Sequence, residues 1–451
     1  MGKFSAEELS SFARYYGFHY DCVNQQALVK EVLVEMERGL EGIPSSLPMI
    51  PSYINPVTHI QPEKTVLALD AGGTNLRGSL VYFNEKGEAV AHKTNKIPMP
   101  GTNGQLKASE FFGVIADMVI PLLKEAKIEG IGFTFSYPME ITSDADGVLL
   151  SFSKEVDAPD VVGKTIGKEL RNTLYEKGCK YDGPIVLLND TVATLLSGYT
   201  SISPDGESAR TPNDFKANGG PVIGFILGTG FNTAYPETNI PKIKFNNASS
   251  SQIVVCETGN FDIHYRGQLD REYDSTTKNP GGYFLEKATA GAYLGPLTLH
   301  ILKQAITDNV IQFKKSDELM GMQHLETRYL NEFTHSPLCA QGPIGSLFSP
   351  DENDALAAVQ YITSIVTERA ALFSAAVLAA IVERINPGFE PYSPVRIAVE
   401  GTTYMIYKGM RRSLESYLHQ MLYRDKPLPY VISPVEQASL FGAAVAALSR
   451  K

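Results

Sequence analysis

The chain has 451 residues, of which 43% are hydrophobic and 20% are charged, and its formal net charge is −10. A single core stops growing near about 250–300 residues, so the length predicts two lobes of an ordinary soluble protein. The negative charge and the lack of a Lys/Arg block argue against nucleic acid or an anionic membrane as partner, but not against a small phosphorylated ligand, because phosphate sites are local.

The four cysteines lie far apart, without a CxxC pair or zinc-type histidine spacing, so we expect a reduced, cytoplasmic protein. The first residues carry no apolar signal core. The most apolar run, residues 370–382, is flanked by charged residues. We expect it to be a buried helix, because the run is too short to cross a bilayer.

In chain order, the first predicted element is an amphipathic helix over residues 25–40, where apolar side chains recur on one face. A Pro- and Ser-rich linker or crossing segment follows at 42–56. Residues 65–83 predict a strand, a glycine turn and a return strand. A helix at 111–126 then precedes a strand at 131–135.

The middle of the chain continues the alternation of helices and strands. A helix is predicted at 162–175, a buried strand at 185–188 and another helix at 191–199. The polar stretch 201–220 is typical of a surface insertion. A further strand, 222–227, again ends in a glycine turn.

Towards the C-terminus, the pattern predicts a long helix at 354–384, a last strand at 395–399 and a final helix at 435–449. Small residues in the final helix allow close packing. Alternating strands and helices with two separate glycine turns indicate an α/β protein of two related lobes.

The first glycine turn follows a buried strand and contains Asp70, Gly72, Gly73, Thr74 and Asn75. The two glycines can take backbone angles denied to other residues, so successive N–H groups can converge on an anion. Thr74 adds a hydroxyl donor, and Asp70 is able to hold Mg²⁺ through water. A plain β-turn is the alternative.

The second glycine turn, Gly228-Thr229-Gly230, offers the same chemistry and has the same alternative. Two such turns in two lobes, each after an apolar strand, favour a nucleotide site. The better-known phosphate motifs are not matched, because Ala158 and Thr233 stand where a P-loop and a dinucleotide fingerprint need glycine.

Asn189, Asp190 and Thr191 follow the buried strand at 185–188. Ligands of α/β sheets bind at such strand ends, where the Asp190 carboxylate could accept a proton from an alcohol that attacks a phosphate. A helix N-cap is an equally good interpretation of this segment, and both can hold if a neighbour caps the helix.

Further polar residues lie beside apolar strands or turns and could surround a polyhydroxylated substrate. Individually each is more typical of a cap or a solvated surface. These residues are Ser136, Ser153, Lys154, Asn232, Glu257 and Glu286.

Taken together, these segments resemble the hexokinase family of the eukaryotic, single-unit type of about 50 kDa. The similarity runs in family order from about residue 30 to the C-terminus. The matching stretches are LALDAGGTNLRGSLV (67–81), IGFTFSYP (131–138), LNDTVATLL (188–196), GFILGTGFNTAY (224–235), CETGNFD (256–262), REYD with NPGGYFLEKATAGAYLG (271–295) and RIAVEGTTY (396–404).

The resemblance implies a two-lobed α/β fold of the actin-like ATPase (ribonuclease H-like) kind, with an interlobe cleft. It implies a small lobe of residues 61–189 plus 435–451 and a large lobe of 1–60 plus 190–434. It also implies transfer of a phosphoryl group from ATP, with Mg²⁺, to the 6-hydroxyl of a hexose, glucose first, as the opening step of glycolysis. A monomer or homodimer without nucleic-acid or membrane partners is expected.

The resemblance also assigns roles by position. Asp190 is implied as the catalytic base and Lys154 as a second catalytic residue. The implied hexose contacts are Ser136, Ser153, Lys154, Asn189, Asp190, Asn232, Glu257 and Glu286. The implied nucleotide contacts are Asp70, Gly72, Gly73, Thr74, Asn75, Arg77, Gly228, Thr229, Gly230, Gly401 and Thr402, with Thr403 beside them.

The sequence departs from the family pattern at several of these places. Gly282 and Tyr283 replace two glutamines before Glu286, Phe231 replaces a small residue, and Ser153 replaces threonine. These changes bear on which sugar is accepted. One alternative is a related kinase that prefers mannose or fructose. The other is a hexose-sensing protein without turnover, which the intact Asn189-Asp190-Thr191 segment and both glycine turns argue against.

Overall fold

The computed structural model describes residues 5–56, 60–85, 87–152, 156–202, 220–243, 251–337, 342–385, 393–424 and 427–449. The strands are β1 (Ile50–Pro51), β2 (Lys64–Ala71), β3 (Asn75–Phe83), β4 (Glu88–Pro98), β5 (Ile131–Phe135), β6 (Met139–Ile141), β7 (Gly147–Leu149), β8 (Ile185–Leu188), β9 (Ser201–Ile202), β10 (Val222–Leu227), β11 (Phe231–Glu237), β12 (Gln252–Val255), β13 (Val395–Glu400) and β14 (Tyr430–Pro434).

Fourteen helices lie within the described residues, and six of them follow one another between β12 and β13. They are α1 (Ala6–Tyr15), α2 (Gln25–Glu41), α3 (Ala108–Glu125), α4 (Ile166–Glu176), α5 (Asp190–Ser197), α6 (Gln268–Ser275), α7 (Phe284–Thr289), α8 (Leu294–Thr307), α9 (Ser316–Gly321), α10 (Thr327–His335), α11 (Asn353–Ile385), α12 (Thr402–Ile406), α13 (Met410–Leu422) and α14 (Ala438–Ala447).

Two six-stranded sheets carry the fold, and five strands of each repeat one arrangement. The first sheet has the order β8-β5-β2-β3-β4-β9, and the second has β1-β12-β11-β10-β13-β14. In each, three consecutive strands form an antiparallel meander, and two later strands join in parallel beside the first strand of the meander. The prediction of two related α/β lobes is confirmed, and each glycine turn joins the first two strands of its meander.

Helices α5 and α14 lie between the two sheets. Helix α5 follows β8 of the first sheet but packs on β10, β11 and β13 of the second, whereas α14 follows β14 of the second sheet and packs on β2, β5 and β8 of the first. The two helices also pack on each other. Each lobe therefore contributes one helix that packs on the sheet of the other lobe.

Small residues permit this close approach, as the composition of the final helix predicts. A Cβ at Gly442 would lie 2.0 Å from the Ala193 carbonyl oxygen of α5, and a Cβ at Gly132 would lie 1.8 Å from the Ala443 oxygen. No side chain fits at either distance, so glycine is required where α14 crosses α5 and β5.

The sequence-based boundaries are close for most elements, with several differences. The strands at 131–135, 185–188 and 222–227 have the predicted bounds. The strand predicted as the last one is followed by β14, and helix α4 begins at Ile166 because a 3-10 turn, Pro159–Val161, precedes it. The linker contains the short strand β1. Most of the predicted insertion, residues 203–219, lies outside the described residues.

Helix α11 is the central helix of the larger core. Among the described helices, it has the length and apolar composition to cross a membrane, and 94% of its apolar window is buried inside the protein. The apolar run at 370–382 is therefore buried, as predicted. The run is part of a 33-residue helix, as the predicted helix at 354–384 indicated.

The lobe boundaries predicted from the sequence stay a prediction. The strands of the first sheet all fall between residues 64 and 202, and β9, at Ser201–Ile202, pairs with β4 of that sheet. The chain thus returns to the first sheet after the predicted boundary at residue 190.

Candidate active site

The predicted site residues of the first sheet lie at one sheet edge. Strands β2, β5 and β8 run parallel, with Ala71 opposite Phe135 and Thr134 opposite Leu188. Their carboxyl ends therefore share an edge, where α/β proteins bind ligands. The glycine turn, Ser136 and Asn189 follow these three ends directly.

The second sheet presents its own glycine segments in the same way. Strands β10 and β13 are parallel, and Gly228 and Gly401 follow their ends. A Cβ on Gly228 would lie 3.3 Å from the Gly401 Cα, so the backbones nearly touch. The Thr403 hydroxyl donates to the Gly228 carbonyl oxygen over 2.7 Å, whereas the neighbouring Thr402 is exposed.

The glycine turns differ from expectation in their backbone angles. Gly72 does not take a positive φ; its N–H donates to the Asn75 oxygen over 3.1 Å, and its own oxygen accepts from the Tyr137 hydroxyl over 2.8 Å. Gly401, by contrast, has a φ of 122°. The predicted conformational reason for glycine is therefore not met at Gly72 or Gly73, the two residues for which it was given.

Asp70 and Arg77 form an ion pair at the base of the first turn. They lie opposite each other in the β2–β3 register, and the guanidinium Nη2 and Nε are 2.5 and 3.1 Å from one carboxylate oxygen. Asp70 is only 5% exposed. The pair places a positive charge and a buried carboxylate beside the turn that was predicted to hold phosphate.

Asn189 caps helix α5, which decides one of the open alternatives. Its side-chain oxygen accepts the Val192 N–H over 2.8 Å, and Asp190 is the first residue of the helix. Asp190 is therefore not needed as the cap. Its carboxylate accepts from the Thr191 hydroxyl over 3.2 Å, and its position at the strand end is the one predicted for a base.

Asn232 and Glu257 form a second pair of predicted hexose contacts. The Asn232 amide donates to the Glu257 carboxylate over 2.9 Å. The amide oxygen accepts the N–H groups of Thr233 and Thr258 over 2.8 and 3.3 Å, which fixes the orientation of the amide. Glu257 itself has a φ of 54°, a left-handed conformation uncommon for this residue type.

Glu286 links the hexose set to the second glycine turn. Its carboxylate accepts the Phe231 N–H over 3.1 Å, and a Cβ on Gly230 would lie 2.8 Å from the same oxygen. Gly230 thus leaves room for the carboxylate. The substituted Phe231 points its ring into the core, 3% exposed and edge-on to Phe225, so its backbone rather than its side chain serves the site.

Burial raises the pKa of Glu257 and of Glu286. For Glu257 the desolvation is opposed by the Asn232 hydrogen bond and reinforced by the charges of Asp190 and Glu286. Burial also raises the pKa of Glu286, and its hydrogen bond from the Phe231 N–H opposes this. Asp190 therefore lies within electrostatic range of a predicted hexose contact on the other lobe's sheet.

Glu400 is a site residue that the sequence reasoning missed. It ends β13, its carboxylate accepts from the Thr194 hydroxyl over 3.4 Å, and burial and the charge of Asp190 raise its pKa. The charges of Asp70 and Arg77 also act on it. The sequence does contain a signal for Glu400, because a polar residue directly after a predicted buried strand is a candidate ligand contact. The predicted strand ended at residue 399, and Glu400 was not among the predicted site residues.

Two predicted site residues are not described by the structure, and one cavity lies away from the other site residues. Ser153 and Lys154 lie outside the described residues, so their predicted roles stay predictions. A cavity of about 400 Å³ lies between α10, α11 and Gly409, with Tyr361 and Glu368 in its wall. None of the predicted site residues lines that cavity.

The fold and the site define a class of protein. Two related α/β lobes, each with a glycine turn in its meander, and helices exchanged between the sheets form the actin-like ATPase fold. Polar side chains from both sheets converge beside the turns. This is the arrangement of a two-lobed sugar kinase.

The chain belongs to the hexokinase family and is a sugar-phosphorylating enzyme. Two family profiles, both described as hexokinase, match residues 14–200 and 222–449. Together they cover both lobes. The resemblance proposed from the motifs is confirmed by these matches.

Curated relatives are similar over nearly the whole chain. Hexokinase-2 of Candida albicans is 27% identical over 457 residues, covering 94% of this chain and 89% of that protein. Hexokinase-7 of rice, Oryza sativa subsp. japonica, is 28% identical over 438 residues, covering 92% of this chain and 90% of that protein.

Solved structures support the fold. The hexokinase of Schistosoma mansoni complexed with glucose superposes with a TM-score of 0.73 at 23% identity, covering 99% of this chain and all of that one. A second structure described as hexokinase gives a TM-score of 0.70 at 22% identity, covering 99% of this chain and 96% of that chain. At this identity the likeness concerns the fold.

Proposed function

We propose that the enzyme transfers the γ-phosphoryl group of ATP to the 6-hydroxyl of a hexose, with glucose as the first candidate, as the opening step of glycolysis. The observation that carries the proposal is Asp190, which stands at the end of β8 while Asn189 caps the helix. A carboxylate relieved of capping at a strand end can accept the hydroxyl proton.

Hexose binding is assigned to the polar residues around Asp190. The paired Asn232 and Glu257, and Glu286 beside the second turn, supply acceptors and donors for several hydroxyl groups. The Asn189 oxygen is occupied by the helix cap, so its amide N–H is the group expected to reach the sugar. A substrate lacking one of these hydroxyls would strand a buried polar group and bind more weakly.

Nucleotide binding is assigned to the two glycine turns and the segment after β13. The Gly72 and Gly228 N–H groups donate within their own turns, so other backbone N–H groups of the turns would face the phosphates. Arg77 would offset phosphoryl charge. Among the described residues, no three His, Cys, Asp or Glu side chains form a direct metal site. We therefore expect Mg²⁺ to be held mainly by phosphate oxygens and water, with Asp70 contributing through water.

The separate assignments of hexose and nucleotide binding suggest an order of events. The hexose binds to the polar set, the lobes close and exclude water, and Asp190 takes the proton as the 6-oxygen attacks the phosphorus. Leaving ADP carries the electron pair of the broken bond.

We also propose a cytoplasmic location, which the unpaired Cys22, Cys179 and Cys256 support.

A substrate panel with ATP and Mg²⁺ tests the proposal. Purified protein is assayed for ADP release with glucose, mannose, fructose and 6-deoxyglucose. Turnover of at least one hexose, and none of 6-deoxyglucose, is expected. Hexose binding without ADP release for every sugar would instead favour the sensing alternative.

A further inference from the structure

Helices α6 and α7 meet around Lys287, a lysine that is only 5% exposed. Its ammonium group pairs with Asp274 of α6 and donates to the Asn279 carbonyl oxygen over 2.6 Å. Lysine is almost never buried unless it is paired. The cost of burying it indicates that the pair has a specific structural task.

The Asp274 carboxylate holds the loop between the two helices. One oxygen takes the Lys287 ammonium, and the other accepts the Gly281 N–H over 3.0 Å. Gly281 and Tyr283 have φ values of 81° and 55°. The ion pair thus fastens residues 279–283 in a conformation that Tyr283, with its Cβ, does not favour.

Helix α7 needs such support because it has only six residues. A helix of this length is not stable alone, so its tertiary contacts must set its orientation. It carries Glu286 directly before Lys287, and the charge of Lys287 lowers the pKa of Glu286 against the effect of burial. Adjacent helical residues point about 100° apart, so Lys287 acts through the helix and not on the substrate.

We propose that Asp274 and Lys287 are positioning residues that hold Glu286 and the 279–283 loop for hexose binding. The inference rests on the proposed function and deepens it. Within the described residues, neither of the two hydrogen-bonds to a nucleotide turn, but Glu286 accepts the Phe231 N–H beside the second turn, so their loss should disturb hexose binding more than nucleotide binding. The pair therefore affects hexose affinity more strongly than ATP affinity.

Helix α6 also provides a matched control. Asp270, one turn before Asp274, forms a buried bidentate pair with Arg369 of α11, with both N–O distances 2.6 Å. Arg369 is fully buried and Asp270 is 8% exposed. Breaking this pair should destabilise the same helix without removing the Lys287 pair of Asp274 or its hydrogen bond from the Gly281 N–H.

The experiment compares Asp274→Asn, Lys287→Met and Lys287→Arg with Asp270→Asn. For each, the melting temperature, kcat and the KM values for hexose and ATP are measured. Asp274→Asn and Lys287→Met should raise the hexose KM by about 10- to 100-fold, because small displacements of binding groups have effects of this size. The KM for ATP should rise by a smaller factor than the hexose KM, and Lys287→Arg should recover part of the hexose affinity.

The control separates positioning from general loss of stability. Asp270→Asn, at a comparable fall in melting temperature, should leave the hexose KM within about twofold of wild type. An unchanged hexose KM in Asp274→Asn, which is nearly isosteric and should fold, would overturn the inference, as would an equal rise in Asp270→Asn. A wild-type protein without any turnover would instead overturn the proposed function, and this inference with it.

Discussion

The side chain of Asn232 donates to the Glu257 carboxylate over 2.9 Å, while its own oxygen is held by two backbone N–H groups. The amide therefore has one orientation, and Glu257 is aligned by it. This half-buried pair lies near Asp190 and is a preorganised receptor for hydroxyl groups.

Replacing Glu257 by glutamine tests this receptor. The amide keeps the size of the side chain but loses the charge and one acceptor, so hexose hydroxyls lose charge-assisted hydrogen bonds of about 1.5–3 kcal/mol each. We expect kcat/KM for hexose to fall about 10- to 150-fold, with the KM for ATP nearly unchanged. Steady-state kinetics with both substrates varied would show it; an equal rise of both KM values would contradict the assignment.

The raised pKa values of Glu257 and Glu286 predict the pH dependence of hexose binding. Both lie above the ordinary value of 4.5, chiefly because of burial, so both carboxylates protonate at higher pH than an exposed glutamate. Protonation removes an acceptor. The hexose KM should therefore rise on acidification with a midpoint above pH 4.5, and a profile flat down to pH 4.5 would count against it.

The raised pKa of Glu257 also predicts how the stability of the protein depends on pH. A raised native pKa means that the folded state holds the proton more tightly than the unfolded chain, so the stabilisation is present at low pH and is lost as pH rises through the native pKa. Glu257→Gln without ligand should accordingly gain stability relative to wild type at pH 7, and the gain should shrink towards pH 4. Thermal melts of both proteins across this range measure it.

Thr403 should matter for the nucleotide and not for the sugar. Thr403→Val removes the 2.7 Å hydrogen bond to the Gly228 oxygen, which joins the second glycine turn to the segment after β13. A net loss of about 0.5–1.5 kcal/mol predicts a rise in the ATP KM of roughly 2- to 12-fold. Thr334→Val, which removes a 2.7 Å bond to the Asn331 oxygen in α10, is the control and should leave both KM values unchanged.

Gly442 tests the crossing of α5 and α14. Gly442→Ala places a Cβ within 2.0 Å of the Ala193 oxygen, so the helices must separate, at a cost of about 1–3 kcal/mol. Gly321→Ala at the end of α9 meets nothing within 4 Å and should be neutral or stabilising. Urea unfolding compares the two; equal stability would show that the crossing is not tight.

Much of the fold could be predicted because the hydrophobic pattern of many segments agrees with their burial in the folded protein. Buried strands such as β8 and β10 are continuous apolar runs bounded by polar or glycine turns, so their bounds are visible in sequence. Strand β14 could not be predicted in this way, because every residue in it is half-buried and its pattern carries no alternation. Its pairing with β13 is set by tertiary contact.

The site was predictable where a residue type carries its own signal, and less so where the role depends on burial. Asp190 and the glycine turns stand at strand ends, a position that sequence reveals. Lys287 gives no signal, since a lysine in sequence is normally solvated and only the fold buries it against Asp274. Glu400 is an intermediate case. The predicted strand ended at residue 399, whereas β13 ends at Glu400 and places this residue in the site.

The most direct test of the account is the turnover of Asp190→Asn with glucose, ATP and Mg²⁺, measured by ADP release beside wild type. The variant keeps the size of the side chain and the Asn189 cap, so it should fold and bind glucose, with kcat lowered by about 10²–10⁴-fold because the base is gone. Near-wild-type kcat in a folded Asp190→Asn protein would contradict the assignment of Asp190 as the base.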